Sequence, residues 1–332
     1  MTKPEEITLG LMATDNALLT ELFEKHLPSG WRLQPSGTAD DETQRRMLAN
    51  AHYLVMAGGA LPRVSIDRAP KLRMVQKMGV GYDGIDLDAL SERGILLANS
   101  PVDSASLAVA EHAVALALSS LKSIPFLDNA VRREHDWPRW EPRRRIRQIG
   151  TQVVGIVGFG RIGRHAARLF LGLGCEVLVW SRKRPDDAGS FAPEAAAAGK
   201  ISFHQDLDHV FDKATIVSLH VALTEDTQGL VNRHRLDLLG PTGLLINTAR
   251  GPVVDEPELV AALREGRLGA AALDVLSTEP PRADHELFSM PNVIITPHCA
   301  TGGTDVQEEK LLFALGNIMA FHEGREIQAR VA

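Results

Sequence analysis

Cysteine is scarce in this chain of 332 residues. Only Cys175 and Cys299 are present, too few for a disulfide framework or a zinc cluster, so a reducing compartment is expected and no metal. Positive charge is short as well: 36 Lys and Arg stand against 42 Asp and Glu, a net charge of −6. Nucleic acid and anionic membrane both reward an excess of cations, and neither is expected as a partner. No apolar run approaches the roughly 20 residues that span a bilayer. The start, Met1-Thr-Lys-Pro-Glu-Glu6, has no basic stretch followed by an apolar one. A cytoplasmic location is the expectation.

What is present fits a soluble globular protein: 44% apolar and 23% charged residues, in a length that suggests two domains. Short apolar runs alternate with amphipathic stretches almost throughout, the pattern of parallel βα units. In the first third the runs predict strands at Ile7–Met12, Trp31–Leu33, Tyr53–Met56, Met74–Met78 and Leu96–Ala98, with helices such as Ala17–His26 and Asp41–Leu48 between them. A long Ala- and Leu-rich helix follows at Leu107–Leu121, then a polar stretch, Arg132–Arg147, with two tryptophans and seven arginines. Alternation resumes with predicted strands at Val153–Val157, Val177–Trp180, Ile216–Val221, Leu244–Asn247, Ala271–Val275 and Val293–Ile295.

The run from Val153 to Val157 leads straight into G-x-G-x-x-G and then a helical stretch. Each glycine has its own task. Gly158 permits the tight turn, Gly160 lets the backbone approach a pyrophosphate, and Gly163 allows close packing of helix on strand. With Arg161 and Ile162 they open a helix whose free N–H groups face an anion. A glycine-rich turn without ligand is the bland alternative, and the strand–motif–helix–strand order argues against it. An NAD site places an acid about 20 residues further on. Here the second strand ends in Ser181-Arg-Lys-Arg184, with cations and no carboxylate. Ser181 and Arg182 suit a 2′-phosphate, so NADP(H) is favoured over NAD(H); the alternative is a solvated basic loop.

Five segments together resemble the D-isomer-specific 2-hydroxyacid dehydrogenase family. They are Gly79–Asp86 (GVGYDGID), Ala108–His112 (AVAEH), Ile246–Asp255 (INTARGPVVD), Ala272–Pro280 (ALDVLSTEP) and Asn292–His298 (NVIITPH). The resemblance covers nearly the whole chain, in order. It implies an α/β fold in which a Rossmann nucleotide-binding domain, 101–297, is inserted in a flavodoxin-like substrate domain made of 1–100 and 298–332. It implies two domains around a cleft, and Arg250, Glu279 and His298 as the catalytic set. It places Asp274 at the nicotinamide side of the cofactor, and the backbone amides of Val80 and Gly81 on the substrate carboxylate. Gly84 stands where the family usually has Asn, and Ala222 where it often has Pro.

The chemistry agrees with the residue types. Reducing a 2-oxo acid takes a hydride donor, a cation for the carboxylate and developing alkoxide, and an acid to protonate that alkoxide. Arg250 follows an expected strand at the sheet edge where α/β proteins bind ligands, His298 can supply the proton, and Glu279 favours the imidazolium. Taken singly, each reads as easily as a surface charge, a loop acid or a structural histidine. His112 and His220 read as structural, and Cys299 lacks an orienting partner for nucleophilic work.

Asp136-Trp-Pro-Arg-Trp140 resembles the W-x-x-W segment of glyoxylate/hydroxypyruvate reductases in this family, which implies a homodimer and makes Trp140 a candidate pocket residue. The reading is an NADPH-dependent reductase of small 2-oxo acids. Its rivals are an NAD-dependent relative of the phosphoglycerate dehydrogenase type and a dinucleotide-sensing, corepressor-like binding protein.

Overall fold

Residues buried on both sides of a parallel sheet read as continuous apolar runs, and the short runs of this chain build two such sheets. In the computed structural model, residues 6–13, 17–36, 41–140, 143, 146–182, 186 and 191–332 are described. The chain begins β1 (Ile7–Met12), α1 (Ala17–His26), β2 (Trp31–Pro35), α2 (Asp41–Asn50), β3 (Tyr53–Met56), α3 (Arg63–Asp67), β4 (Met74–Lys77), α4 (Leu87–Glu92) and β5 (Leu96–Ala98). These five strands form one sheet in the order β2-β1-β3-β4-β5, all parallel.

Next come α5 (Asp103–Leu121), α6 (Ile124–Arg132), β6 (Val153–Val157), α7 (Arg161–Gly172), β7 (Glu176–Trp180), α8 (Pro193–Ala197) and β8 (Ile201–His204). They are followed by α9 (Leu207–Lys213), β9 (Ile216–Leu219), α10 (Arg233–Leu239), β10 (Leu244–Asn247), α11 (Glu256–Arg264), β11 (Ala270–Leu273) and β12 (Val293–Ile295). Their sheet is also all parallel, in the order β12-β11-β10-β9-β6-β7-β8. The order turns back at β6, the switch point at which doubly wound sheets bind ligands. The last helix, α12 (Thr304–His322), covers the first sheet through Leu311, Leu315 and Ile318.

Two compact units result, Met1–Val102 with Gly302–Ala332, and Asp103–Thr301. The second boundary lies after Thr301 rather than before His298, because the Asp274 carboxylate accepts the N–H groups of Cys299 and Ala300, both at 3.0 Å. Those bonds tie His298 to the second sheet.

Other departures from the sequence expectation have local causes. The strand β8 pairs only with β7 at the sheet edge, so its Ile-Ser-Phe-His run is half polar and gives a weak signal. The helical stretch expected over Arg164–Leu173 begins three residues earlier, at Arg161, since Gly160 is the N-cap of α7. The strand β11 stops at Leu273, where Asp274 turns away to bind the loop after β12. By length and composition α5 is apolar enough to cross a membrane. A search for unbroken apolar runs overlooks it because Glu111 and His112 interrupt it. In the structure its Ala110, Ala113, Leu116, Ala117 and Leu121 are core residues beside α7.

Alternation across one strand separates the core layers. Leu245 and Ile246, adjacent on β10 and both 0% exposed, point to opposite faces. Leu245 joins Phe211, Leu236 and Leu259, while Ile246 joins Val154, Phe170 and Ala113. Leu245→Ala is expected to cost about 2–5 kcal/mol through lost burial and the cavity left behind, measured by urea unfolding of the purified protein. A loss below about 1 kcal/mol would show that the layer closes over the gap.

Candidate active site

At the switch point two of the three glycines, Gly158 and Gly163, are required by space. Gly158 has φ +98°, and a Cβ there would lie 2.6 Å from the His220 carbonyl oxygen. A Cβ on Gly163 would collide with the Gly158 carbonyl. Gly160 has open space where its Cβ would go, and it caps α7 without any side-chain cap. The first N–H groups of a 12-residue helix are therefore left to whatever lies above Gly160. Beside this turn the structure seals two polar atoms that have no partner, His220 Nδ1 and Thr248 Oγ1. Burial pushes the His220 imidazole down to about 4, so it is neutral at physiological pH. Orphaned polar atoms at the ends of β9 and β10, next to an uncapped helix, fit a dinucleotide as the missing partner.

The end of β7 presents Ser181 half-buried and Arg182 exposed. Arg182 Nη1 lies 3.1 Å from Asp226 Oδ2, with the side chains 69% and 74% exposed. An ion pair this open is weak and readily gives way to a phosphate. Lys183 and Arg184 lie outside the described residues.

The proposed catalytic set gathers on the carboxyl edge of β10 to β12. Asn247, 1% exposed, holds the turn after β10. Its Nδ2 donates to the Arg250 carbonyl at 2.9 Å, and its Oδ1 accepts the Ala249 N–H at 3.0 Å. Gly251 follows because any Cβ there would collide with Leu276. That close approach brings the Arg250 turn against the segment carrying Glu279. Glu279 Oε1 accepts the Leu276 N–H at 3.0 Å, and its Oε2 lies 2.7 Å from His298 Nδ1. Burial pushes the Glu279 carboxyl up. The His298 and Leu276 hydrogen bonds, with the charges of His298 and Arg250, outweigh burial and hold it below the usual carboxylate range.

His298 occupies a left-handed backbone position, φ +52°, unusual for a residue with a Cβ. Its N–H donates to the carbonyls of Asp274 at 2.8 Å and Thr296 at 3.0 Å. The Asp274 side chain completes the clamp. It is 1% exposed and accepts the Thr296 hydroxyl at 2.6 Å as well as the Cys299 and Ala300 N–H groups. His112 Nε2 is 3.0 Å from Thr296 Oγ1 and 3.5 Å from Asp274 Oδ1, which fastens α5 to the same loop.

Sequence reasoning reached Asp274 only as a neighbour of the cofactor and missed Thr296. The Thr-Pro-His spacing was visible, but its link to a residue 22 positions earlier was not. His112, Asp274 and Cys299 bring donor atoms within 4.8 Å of one another. The Asp274 oxygens are already engaged, so the cluster serves as a loop anchor.

In the first unit, Val80 and Gly81 follow β4 in an exposed turn. Two of its carbonyls are engaged: Asn99 Nδ2 donates to Val80 O at 3.1 Å, and the Ser100 N–H to Gly79 O at 3.4 Å. Among the described residues the N–H groups of Val80 and Gly81 meet no acceptor. Such a turn can take a small anion. Trp140 is 68% exposed, with the Arg143 guanidinium 4.2 Å from its ring centroid.

Known proteins show the same pattern. Residues 114–300, more than half of the chain, match the family model described as D-isomer specific 2-hydroxyacid dehydrogenase, NAD binding domain. A glyoxylate reductase of Pyrococcus furiosus is 37% identical over 263 residues, 78% of this chain and 75% of that one. A D-3-phosphoglycerate dehydrogenase of Methanocaldococcus jannaschii is 32% identical over 285 residues, 86% of this chain and 51% of that one. Among solved structures, an NADPH-dependent glyoxylate/hydroxypyruvate reductase of Sinorhizobium meliloti superposes with a TM-score of 0.81 at 27% identity, covering 98% of each chain. With the parallel sheets, the glycine turn and the family match in agreement, the chain belongs to the D-isomer specific 2-hydroxyacid dehydrogenases, NAD(P)-dependent oxidoreductases whose dinucleotide-binding domain is its second unit.

Proposed function

We propose that this enzyme reduces small 2-oxo acids of the glyoxylate and hydroxypyruvate type to D-2-hydroxy acids, with NADPH as the preferred cofactor and His298 as the proton donor. The observation that carries the reading is the His298–Glu279 pair at 2.7 Å, with Arg250 close enough for its charge to act on Glu279. Gly158, Gly160, Arg161, Ile162 and Gly163 would hold the pyrophosphate of the cofactor, which when bound would supply a hydride to the carbonyl carbon. The His298 imidazolium would give its proton to the carbonyl oxygen, leaving a hydroxyl group and a neutral imidazole that water recharges.

Each residue then has a defined task. Glu279 stays ionised, holds Nδ1 and stabilises the imidazolium, so the other ring nitrogen presents the proton. Arg250 offers a planar fork to the substrate carboxylate and to the oxygen on which charge develops. The acceptor-free amides of Val80 and Gly81 offer a seat for a carboxylate. Asp274 keeps His298 in register, and its main-chain neighbourhood is the candidate nicotinamide contact. Ser181 and Arg182 would take the 2′-phosphate, with Asp226 released. The homodimer, a pocket role for Trp140 across it, and the cytoplasmic location complete the proposal.

The resemblance to the phosphoglycerate dehydrogenase keeps an NAD-dependent reading as the second candidate. A binding protein without catalysis has no use for a proton donor braced by an ionised acid.

Loss of absorbance at the nicotinamide band, followed with NADPH and NADH against a panel of 2-oxo acids, separates these readings. Turnover of glyoxylate or hydroxypyruvate with NADPH is expected, and absence of turnover on every acid would sink the reaction. Arg182→Ala should shift the NADPH-to-NADH ratio of kcat/KM toward NADH by roughly tenfold, the worth of one charge-assisted hydrogen bond. A wild-type preference for NADH would overturn the Ser181 and Arg182 assignment. Arg250→Ala should lower kcat/KM roughly a hundred- to a thousand-fold with an unchanged melting temperature. Glu279→Gln should lower kcat while leaving KM for NADPH in place; full activity in either variant refutes its role.

A further inference from the structure

The acid that braces His298 in the proposed reaction, Glu279, sits on an exposed loop. Ser277, Thr278, Glu279 and Pro280 are all exposed, and the chain is next buried at Leu287. Arg282 and Asp284 spend their charges on each other. Among the described residues, two hydrogen bonds tie the stretch 277–284 to another element. They are Glu279 to His298, and the Ser277 N–H to Glu256. A loop with so little buried surface does not hold a side chain in place by packing. The aim of Glu279 has to come from elsewhere.

Glu256 supplies it from rigid ground. It opens α11, where the Asp255 side chain caps the helix by accepting the Glu258 N–H at 3.2 Å. Pro257, in the same turn, has no N–H to leave unpaired. Leu259, Val260 and Leu263 fix the helix in the core. From this turn Glu256 Oε2 accepts the Ser277 N–H at 2.9 Å, and its Oε1 lies 3.1 Å from His285 Nε2. His285 Nδ1 accepts the Leu287 N–H, so Nε2 is the nitrogen that donates to Glu256. One carboxylate therefore closes the loop at both ends. The Glu256 and His285 side chains are 18% and 20% exposed, so water competes little for their bond.

The turn that Glu256 grips is the one that holds Glu279. Adjacent amides serve two acids: the Leu276 N–H goes to Glu279 Oε1 at 3.0 Å, and the Ser277 N–H to Glu256. Gly251 presses on the backbone of Leu276 and Ser277 at the same place. The segment from Arg250 to Glu256 thus meets this turn twice, carrying Arg250 and aiming Glu279. We propose that Glu256, through its bonds to Ser277 and His285, is a positioning residue that directs Glu279 onto His298. This rests on the reading of Glu279 as the brace of the proton donor. Glu256 touches no reacting atom. Its effect on rate passes through the turn alone, because a carboxylate displaced by about an ångström no longer braces the imidazolium.

Two measurements test this. Amide hydrogen exchange needs no turnover. In Glu256→Ala the Leu276 amide, which Glu279 protects, should exchange roughly tenfold faster than in the wild type, while the amides of β10 keep their rates. Glu256→Gln keeps the shape and one acceptor oxygen, and should speed exchange less. The reverse order, equal exchange at Leu276 in all three proteins, or an equal rise in β10 would overturn the proposal. The second measurement is a cycle of variants, with initial rates on glyoxylate at saturating NADPH. Glu256→Ala should lower kcat roughly ten- to a hundred-fold, with KM for NADPH within about twofold. In a Glu279→Ala background the same substitution should change kcat less than about twofold, since the group it aims is gone. An unchanged kcat in Glu256→Ala, or a similar loss in both backgrounds, would refute the role. If the wild type turns over no 2-oxo acid, the proposed reaction falls, and exchange at Leu276 still decides whether Glu256 holds Glu279 in place.

Discussion

The buried carboxylate of Asp274 is the constraint on which the rest of the candidate active site depends. It ends β11, takes one hydroxyl and two backbone N–H groups from the loop after β12, and so fixes the segment Thr296–Ala300. Only with that segment fixed can His298 be held at φ +52°, a conformation that costs energy for any residue with a Cβ. The same bonds decide where the second unit ends, since they draw the chain as far as Thr301 onto the second sheet. An acid buried this deeply survives because hydrogen-bond donors replace water around it. His298 can then meet Glu279 at 2.7 Å with little freedom left to lose on binding.

A parallel sheet explains why the important side chains lie so close together although they are far apart in sequence. Every strand of β6 to β12 runs the same way, so the residues just past each strand end share one edge. Gly158 follows β6, Ser181 follows β7, His220 follows β9, Arg250 follows β10, Asp274 follows β11 and His298 follows β12. The glycines let neighbouring turns touch where side chains would hold them apart. Gly158 meets the backbone of His220, and Gly251 meets Leu276, so the turn bearing Arg250 is pressed against the one bearing Glu279. The candidate site is a property of the edge, and the core beneath it supplies the rigidity.

What could be read in the sequence follows the range of the forces involved. The glycine turn after β6 is specified by covalent geometry within a few residues, and the strand bounds Val153–Val157, Leu244–Asn247 and Val293–Ile295 stand as the apolar runs drew them. Arg250, Glu279 and His298 were singled out because their segments keep family order, and the structure brings them together at one sheet edge. Less legible was whatever depends on a partner far along the chain. The pairing of Arg182 with Asp226 spans 44 positions, and that of Asn317 with Gln76 spans 241. The strand β8 escaped notice because an edge strand with one neighbour needs only half of its residues apolar. The buried state of Lys310 has no signature at all in sequence, since lysine on a helix almost always points into water.

Charge looks different at the edge than in the whole chain. A net charge of −6 gives the chain no general attraction for polyanions, yet the ligands of this family are anions at both ends of the reaction. The conflict resolves through desolvation, because potential at a site is set by what water no longer screens. Acidic residues such as Asp226 and Glu308 spend their charge on exposed cations at the surface. An acidic surface then works in favour of discrimination. It repels large polyanions from the protein at long range, while Arg250 at the carboxyl edge of the second sheet and Arg182 at the end of β7 present positive charge locally.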